Sequence, residues 1–87
     1  MKIKLLKEMF LKVVSPDETL YKGEVSLVQM PGEMGSFEVL NNHAPIVALL
    51  EAGKIKVIDK QRNRIFLEIK EGVVHVRDNN ITIVTSA

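Results

Sequence analysis

MPGEMGSFEVLNNHAPIVALLEAG, residues Met30 to Gly53, sets apolar runs between sharp corners. The first corner is Pro31-Gly32-Glu33-Met34-Gly35. Phe37, Val39 and Leu40 follow, then Asn41-Asn42-His43-Ala44-Pro45, a second apolar run Ile46–Leu50, and a closing Gly53. Glycine reaches backbone angles closed to other residues, which suits Gly32 and Gly35 to a tight turn. Proline fixes φ and lacks an N–H, so Pro31 and Pro45 belong at strand ends rather than inside a ladder. The stretch reads as strand, corner, strand, corner, strand.

Period-two alternation extends this pattern outward. Ile55 and Val57 alternate with Lys54 and Lys56. Ile65, Leu67 and Ile69 alternate with Arg64, Glu68 and Lys70, with Phe66 among the latter. Val74 and Val76 alternate with His75 and Arg77, and Ile81 and Ile83 with Thr82 and Val84. Turn signals separate the runs at Ser15–Glu18, Ala52-Gly53, Lys60–Asn63, Glu71-Gly72 and Asp78–Asn80. At the start, Ile3, Leu6, Phe10 and Val13 fall near one helical face, yet Val13-Val14 before Ser15-Pro16 favours a strand from Met9. Residues 1–8 then form an N-terminal extension, and no small-residue cleavage site marks them as a signal peptide. Short strands at this spacing predict an all-β sandwich or barrel.

Composition narrows the function. The 87 residues make one domain with a modest core. A net charge of +1 argues neither for a nucleic-acid binder nor for an enzyme of acidic substrates, and one Tyr and three Phe make no platform for stacking single-stranded bases, which leaves an RNA-binding barrel as a minor alternative. Without cysteine there is no disulfide, thiol nucleophile or zinc–thiolate site. Gly32 and Gly35 lack the Lys and Ser/Thr of a phosphate-binding loop, and Glu33 between them would repel an anion. His43 lies between Asn42 and Ala44, and His75 alternates with valines. Neither has the neighbours of a catalytic base or the spacing of a metal ligand. His43 is expected either to orient its own loop by hydrogen bonding or to sit in a subunit contact. The acids are scattered and suggest no acid/base couple. No catalytic, cofactor or metal site is expected.

The order and spacing of Pro31, Gly32, Gly35, Phe37, Val39, Leu40, His43, Ala44, Pro45, Leu50 and Gly53 resembles the ε subunit of bacterial F-type ATP synthases. The resemblance covers residues 9–87. Met9–Ser15 is similar to the family's first strand, Leu20–Gly23 and Glu24–Met30 to its second and third, and Glu71–Val73 and Asn80–Val84 to its last. It implies a flattened two-sheet β-sandwich of about ten short strands. It also implies a non-catalytic rotor subunit that binds the γ subunit and the c-ring, on the cytoplasmic face of the cell membrane. Membrane association would come only through the complex, with no cofactor and no nucleic acid. Family members usually continue into a C-terminal helical hairpin that restrains ATP hydrolysis. This sequence stops at Ala87, so the resemblance implies the sandwich without that inhibitory arm.

Residue roles follow from the same resemblance. Glu33, Met34, Ser36 and His43 correspond to positions facing the c-ring, and Ser15, Val47 and Ala48 to positions facing γ. Two departures stand out. Ser36-Phe37-Glu38 replaces the common Glu-Phe-Gly, moving the carboxylate two positions along the same strand face. Asn41-Asn42 replaces Pro-Gly, and Asn tolerates the left-handed backbone such a turn needs. Ile58-Asp59-Lys60-Gln61-Arg62-Asn63 nearly spells an ATP-binding motif that some family members carry on the C-terminal hairpin, but here it falls on a strand end and turn instead of a helix, so it is read as a solvated hairpin turn. The alternative to the rotor reading is a free-standing β-sandwich adaptor that binds another protein along an open sheet edge.

Overall fold

The computed structural model describes residues 8–86, so most of the expected 1–8 extension lies outside the described residues. Glu8 is described and pairs with Lys60 at 3.0 Å. Among the described residues there are eight strands: β1 (Met9–Val14), β2 (Thr19–Gly32), β3 (Gly35–Leu40), β4 (Ile46–Leu50), β5 (Gly53–Asp59), β6 (Arg64–Ile69), β7 (Gly72–Arg77) and β8 (Asn80–Thr85). The architecture is the expected all-β sandwich. The strands number eight against about ten expected, partly because two segments read separately, Leu20–Gly23 and Glu24–Met30, are one continuous strand of 14 residues.

That strand serves both layers. Its first half pairs with β1, which continues through β8 and β7 to β4. Its second half pairs with β3 on one side and β5 on the other, and β5 carries β6. A final pairing of Gly32 with Leu50 brings β4 back to the end of β2. The first layer is therefore a ladder that closes on itself. The β2–β5 register slips between Val25 and Leu27. One extra residue in a strand reverses which side chains face inward. Here Val25 is buried before the slip, and Val28 and Met30 after it. Ser26, at the slip, donates its hydroxyl to the Ile58 carbonyl at 3.2 Å.

The core is what alternation selects. Met9, Leu11 and Val13 from β1, Ile55 and Val57 from β5, Val74 and Val76 from β7, and Ile81 and Ile83 from β8 are all buried. Residues 9–14 follow strand parity, not a helical face, because Leu11 must bury beside Val13 while Lys12 stays in water. Backbone sterics add two constraints. A Cβ on Gly72 would run into the Val84 carbonyl oxygen, so β7 and β8 can approach this closely only with glycine there. Asp78 and Asn79 both take positive φ, 51° and 62°, the geometry of a two-residue hairpin turn matched to strand twist.

Leu11→Ala should lower unfolding free energy by about 2–5 kcal/mol, because the cavity cannot collapse between two hydrogen-bonded layers. Val84→Ala, on the outer surface, should change it by no more than about 0.5 kcal/mol. Urea unfolding followed by circular dichroism compares the two directly.

Candidate functional site

On the first layer, residues that alternation places outward are not all polar. Leu49 on β4 stands opposite Val73 on β7, Val73 opposite Val84 on β8, and Val84 beside Val14 on β1. These four form one aliphatic row across four strands. Leu49 is 54% exposed, Val73 39% and Val84 51%. One row along, Val47 is 70% exposed, opposite His75, with Thr82 and Lys12 continuing the row. A contiguous aliphatic row with a polar rim is the makeup of a protein interface. A shallow cavity of about 440 Å³ follows it, from Pro16 past Val84, Val73 and Leu49 to Glu33.

The β2–β3 hairpin forms the second part of the site. Gly32 pairs with Gly35, leaving Glu33 and Met34 as the tip. Only one of the two glycines is needed for its backbone angle: Gly35 has φ +125°, whereas Gly32 lies within β2. Gly32 serves instead by having no side chain, since a Cβ would sit 2.8 Å from the Gly35 carbonyl oxygen and the Phe37 ring. Met34 is completely exposed. An unbranched thioether in water is a poor surface residue but an adaptable contact. The Glu33 amide donates to the Leu49 carbonyl at 3.0 Å, tying the tip to the aliphatic row. Between tip and β4 lies a cavity of about 450 Å³ bordered by Met34, Phe37, Val47 and Ala48.

His43 belongs to the loop at the other end of β3. A six-residue strand rises roughly 17–20 Å, so His43 and Met34 are that far apart. The His43 amide donates to Leu40 at 3.1 Å, and its Nδ1 lies 2.7 Å from the Ala44 carbonyl. A carbonyl only accepts, so that bond places the ring proton on Nδ1. His43 orients its own loop, one of the two roles expected for it. Asn42 takes φ 66°, the left-handed backbone expected of it. The loop is also locked from β7–β8. The Asn79 side chain is 5% exposed; it donates to Asn41 Oδ1 and accepts from the Asn42 amide, both at 2.7 Å.

The structure thus regroups the residues expected from sequence. Glu33, Met34 and Ser36 sit together at the hairpin, but His43 lies at the opposite end of β3. Val47 faces outward, while Ala48 faces inward and packs against the core. Ser15 closes the β1–β2 turn by donating to the Glu18 carbonyl, next to Val14 at the end of the aliphatic row. Leu49, Val73 and Val84 were not among the expected contacts. Their signal was an apolar residue at a position where alternation calls for a polar one. At Ile58–Asn63, Asp59 caps its own turn, accepting from Gln61 and Asn63 amides at 2.9 and 2.8 Å. Hydrogen bonds from the Asn63 side chain and backbone hold its carboxyl below the usual aspartate value. A carboxylate committed to its own loop fits a hairpin turn and not a nucleotide site. Among the described residues no three His, Cys, Asp or Glu side chains cluster as a metal site, and no helix is long and apolar enough to cross a membrane.

An aliphatic outer row beside a protruding hairpin tip has the makeup of a protein-contact surface. The chain belongs to the ATP synthase delta/epsilon chain β-sandwich domain family, whose model matches residues 8–87. It is 41% identical over 73 residues to an ATP synthase epsilon chain of Leptospira interrogans, covering 84% of this chain and 57% of that one. A Caulobacter vibrioides epsilon chain is 37% identical over 78 residues, with 90% of each covered. The chain therefore spans little more than half the Leptospira relative and nearly all of the Caulobacter one. In fold it matches a chain of the Euglena gracilis mitochondrial ATP synthase at TM-score 0.85 and 23% identity, over 92% of this chain and 51% of that one. A Tetrahymena thermophila central stalk/c-ring chain matches at 0.76 and 17%, over 94% and 66%.

Asn79→Ala should free the 41–45 loop while leaving the sandwich folded, at a cost of about 1–3 kcal/mol for the orphaned partners. The readout is a shift of the His43 ring resonances and faster exchange of the Asn42 amide. Asp59 supports a pH prediction. A carboxyl lowered in the folded state stabilises fully above its unfolded value, about 4, and loses that contribution as pH falls through its folded value. Asp59→Ala should therefore flatten the acid limb of the stability profile below about pH 4.

Proposed function

We propose that this domain is the β-sandwich of an F-type ATP synthase ε subunit, a non-catalytic adaptor at the foot of the central stalk. In this reading it joins the γ subunit to the c-ring on the cytoplasmic face of the cell membrane. It helps pass ion-driven rotation to the sites that make ATP. The observation that carries it is the aliphatic row Leu49–Val73–Val84–Val14 beside an exposed hairpin tip, in a member of this family.

The row, flanked by Ser15 and Val47, is the surface offered to γ; Ala48 supports it from the inner side. Glu33, Met34 and Ser36 at the tip are offered to the c-ring. His43 would reach the same ring only if the contact extends across roughly 17–20 Å, the length of β3. The physical demand on such a part is stiffness under torque. A ladder that closes from β1 through β8, β7 and β4 back to β2 resists shear better than an open sheet.

The test is to tag the chain, express it in its own host and purify it in mild detergent. Recovery of γ and c subunits is expected. The double variant Val73→Lys with Val84→Lys should reduce γ recovery at least about tenfold, with an unchanged circular dichroism spectrum. A folded, monodisperse protein that recovers neither subunit would overturn the rotor reading in favour of a free-standing adaptor.

A further inference from the structure

The rotor reading uses the β1–β8–β7–β4 layer and the hairpin tip; the outer face of the opposite layer is left unassigned. There Leu40 on β3, Leu27 on β2 and Ile58 on β5 stand in one cross-strand row, which Arg64 on β6 continues. Leu40 is 51% exposed. These residues line a cavity of about 690 Å³ whose rim carries Lys60, Arg62 and Arg64, and no carboxylate lines it. We propose that this cavity is a docking groove for an acidic peptide segment with an apolar face, carried by a partner protein.

Charge complementarity selects that occupant. Lys60 is already engaged by Glu8 at 3.0 Å and Glu24 at 3.1 Å. Asp59, the acid nearest Arg62 along the chain, turns its carboxylate onto Gln61 and Asn63, and Glu68, the acid nearest Arg64, stands opposite Lys54 of β5 and does not line the cavity. Arg62 and Arg64 therefore keep their charge for a ligand. The turn that caps Asp59 also holds Arg62 in the left-handed conformation, φ 70°, at the rim. Two guanidiniums suit two carboxylates, each accepting a bidentate pair of N–H donors. The floor is aliphatic and linear. Strands lie about 4.8 Å apart, so the row spans roughly 14 Å, enough for three apolar side chains leading to the acidic end. Two arginines are too few to hold a phospholipid surface or a nucleic-acid backbone, where binding grows with the number of cations.

The probe is a short fluorescein-labelled peptide in which three leucines precede two glutamates, titrated into the full chain at low salt. We expect saturable binding, with backbone amide shifts centred on Leu27, Leu40, Ile58 and Arg64. Lysine in place of the glutamates should weaken binding at least about tenfold, as should the variant Arg62→Glu with Arg64→Glu. Leu27→Ser, which keeps both arginines, should also weaken it. Val73→Lys with Val84→Lys, on the other layer, should leave it unchanged, so failure here is separable from failure of the rotor reading. Equal affinity for both peptides, shifts confined to other surfaces, or no saturation would overturn the proposal. Tighter binding to phosphatidylglycerol vesicles or single-stranded RNA than to the acidic peptide, lost in the double arginine variant, would also overturn it.

Discussion

Strand β2 hydrogen-bonds to β1, β3, β4 and β5, and it can serve both layers because its ladder with β5 slips at Ser26. Without the slip, Val28 and Met30 would face water if Val25 stayed inside. With it, one unbroken strand presents an inward face to each layer in turn. The two layers are joined by the covalent chain itself, and both inner surfaces meet over the same core. Exposed features are then free to differ between the two outer faces: an aliphatic row on one, an aliphatic groove with arginines on the other.

Much of this was legible from the residues. Val74, Val76, Ile81 and Ile83 were placed inward by alternation alone, and all four are buried. The turns at Ser15–Glu18 and Asp78–Asn80 fell where their residue types indicate, and Asn42 took the left-handed backbone expected of it. The slip at Ser26 was not legible. The resemblance divides the segment between Gly23 and Glu24, whereas one strand runs through that point and shifts its register against β5 between Val25 and Leu27. Gly32 was read for backbone freedom, but its role is clearance from Phe37, a contact between partners set by register.

The candidate site was legible in part. Sequence placed Glu33, Met34 and Ser36 on one exposed hairpin, where they are found. The strand read between the two corners also sets His43 away from that tip, although the resemblance groups it with them. Sequence could not assemble Leu49, Val73, Val84 and Val14, which lie far apart in the chain and meet only through the ladder. A stray apolar residue at an outward position is unremarkable alone. Four in one row have meaning only when the register is known. Asn79 is a similar case: a turn residue by sequence, it also fastens a loop from another part of the chain.

The parallel pairing of β1 with β8 has a consequence for how the chain matures. Leu11 meets Ile81, and Val13 meets Ile83, so the first strand finds one of its two neighbours only in the last. During synthesis β1 can form its hairpin with β2 early, but it must wait for nearly the whole domain before its other edge is covered. A nascent chain halted before Ile81 would expose that edge, with apolar Leu11 and Val13 beside it, to any other unfinished strand. The domain is thus made safe from misassociation late, by its final six-residue strand.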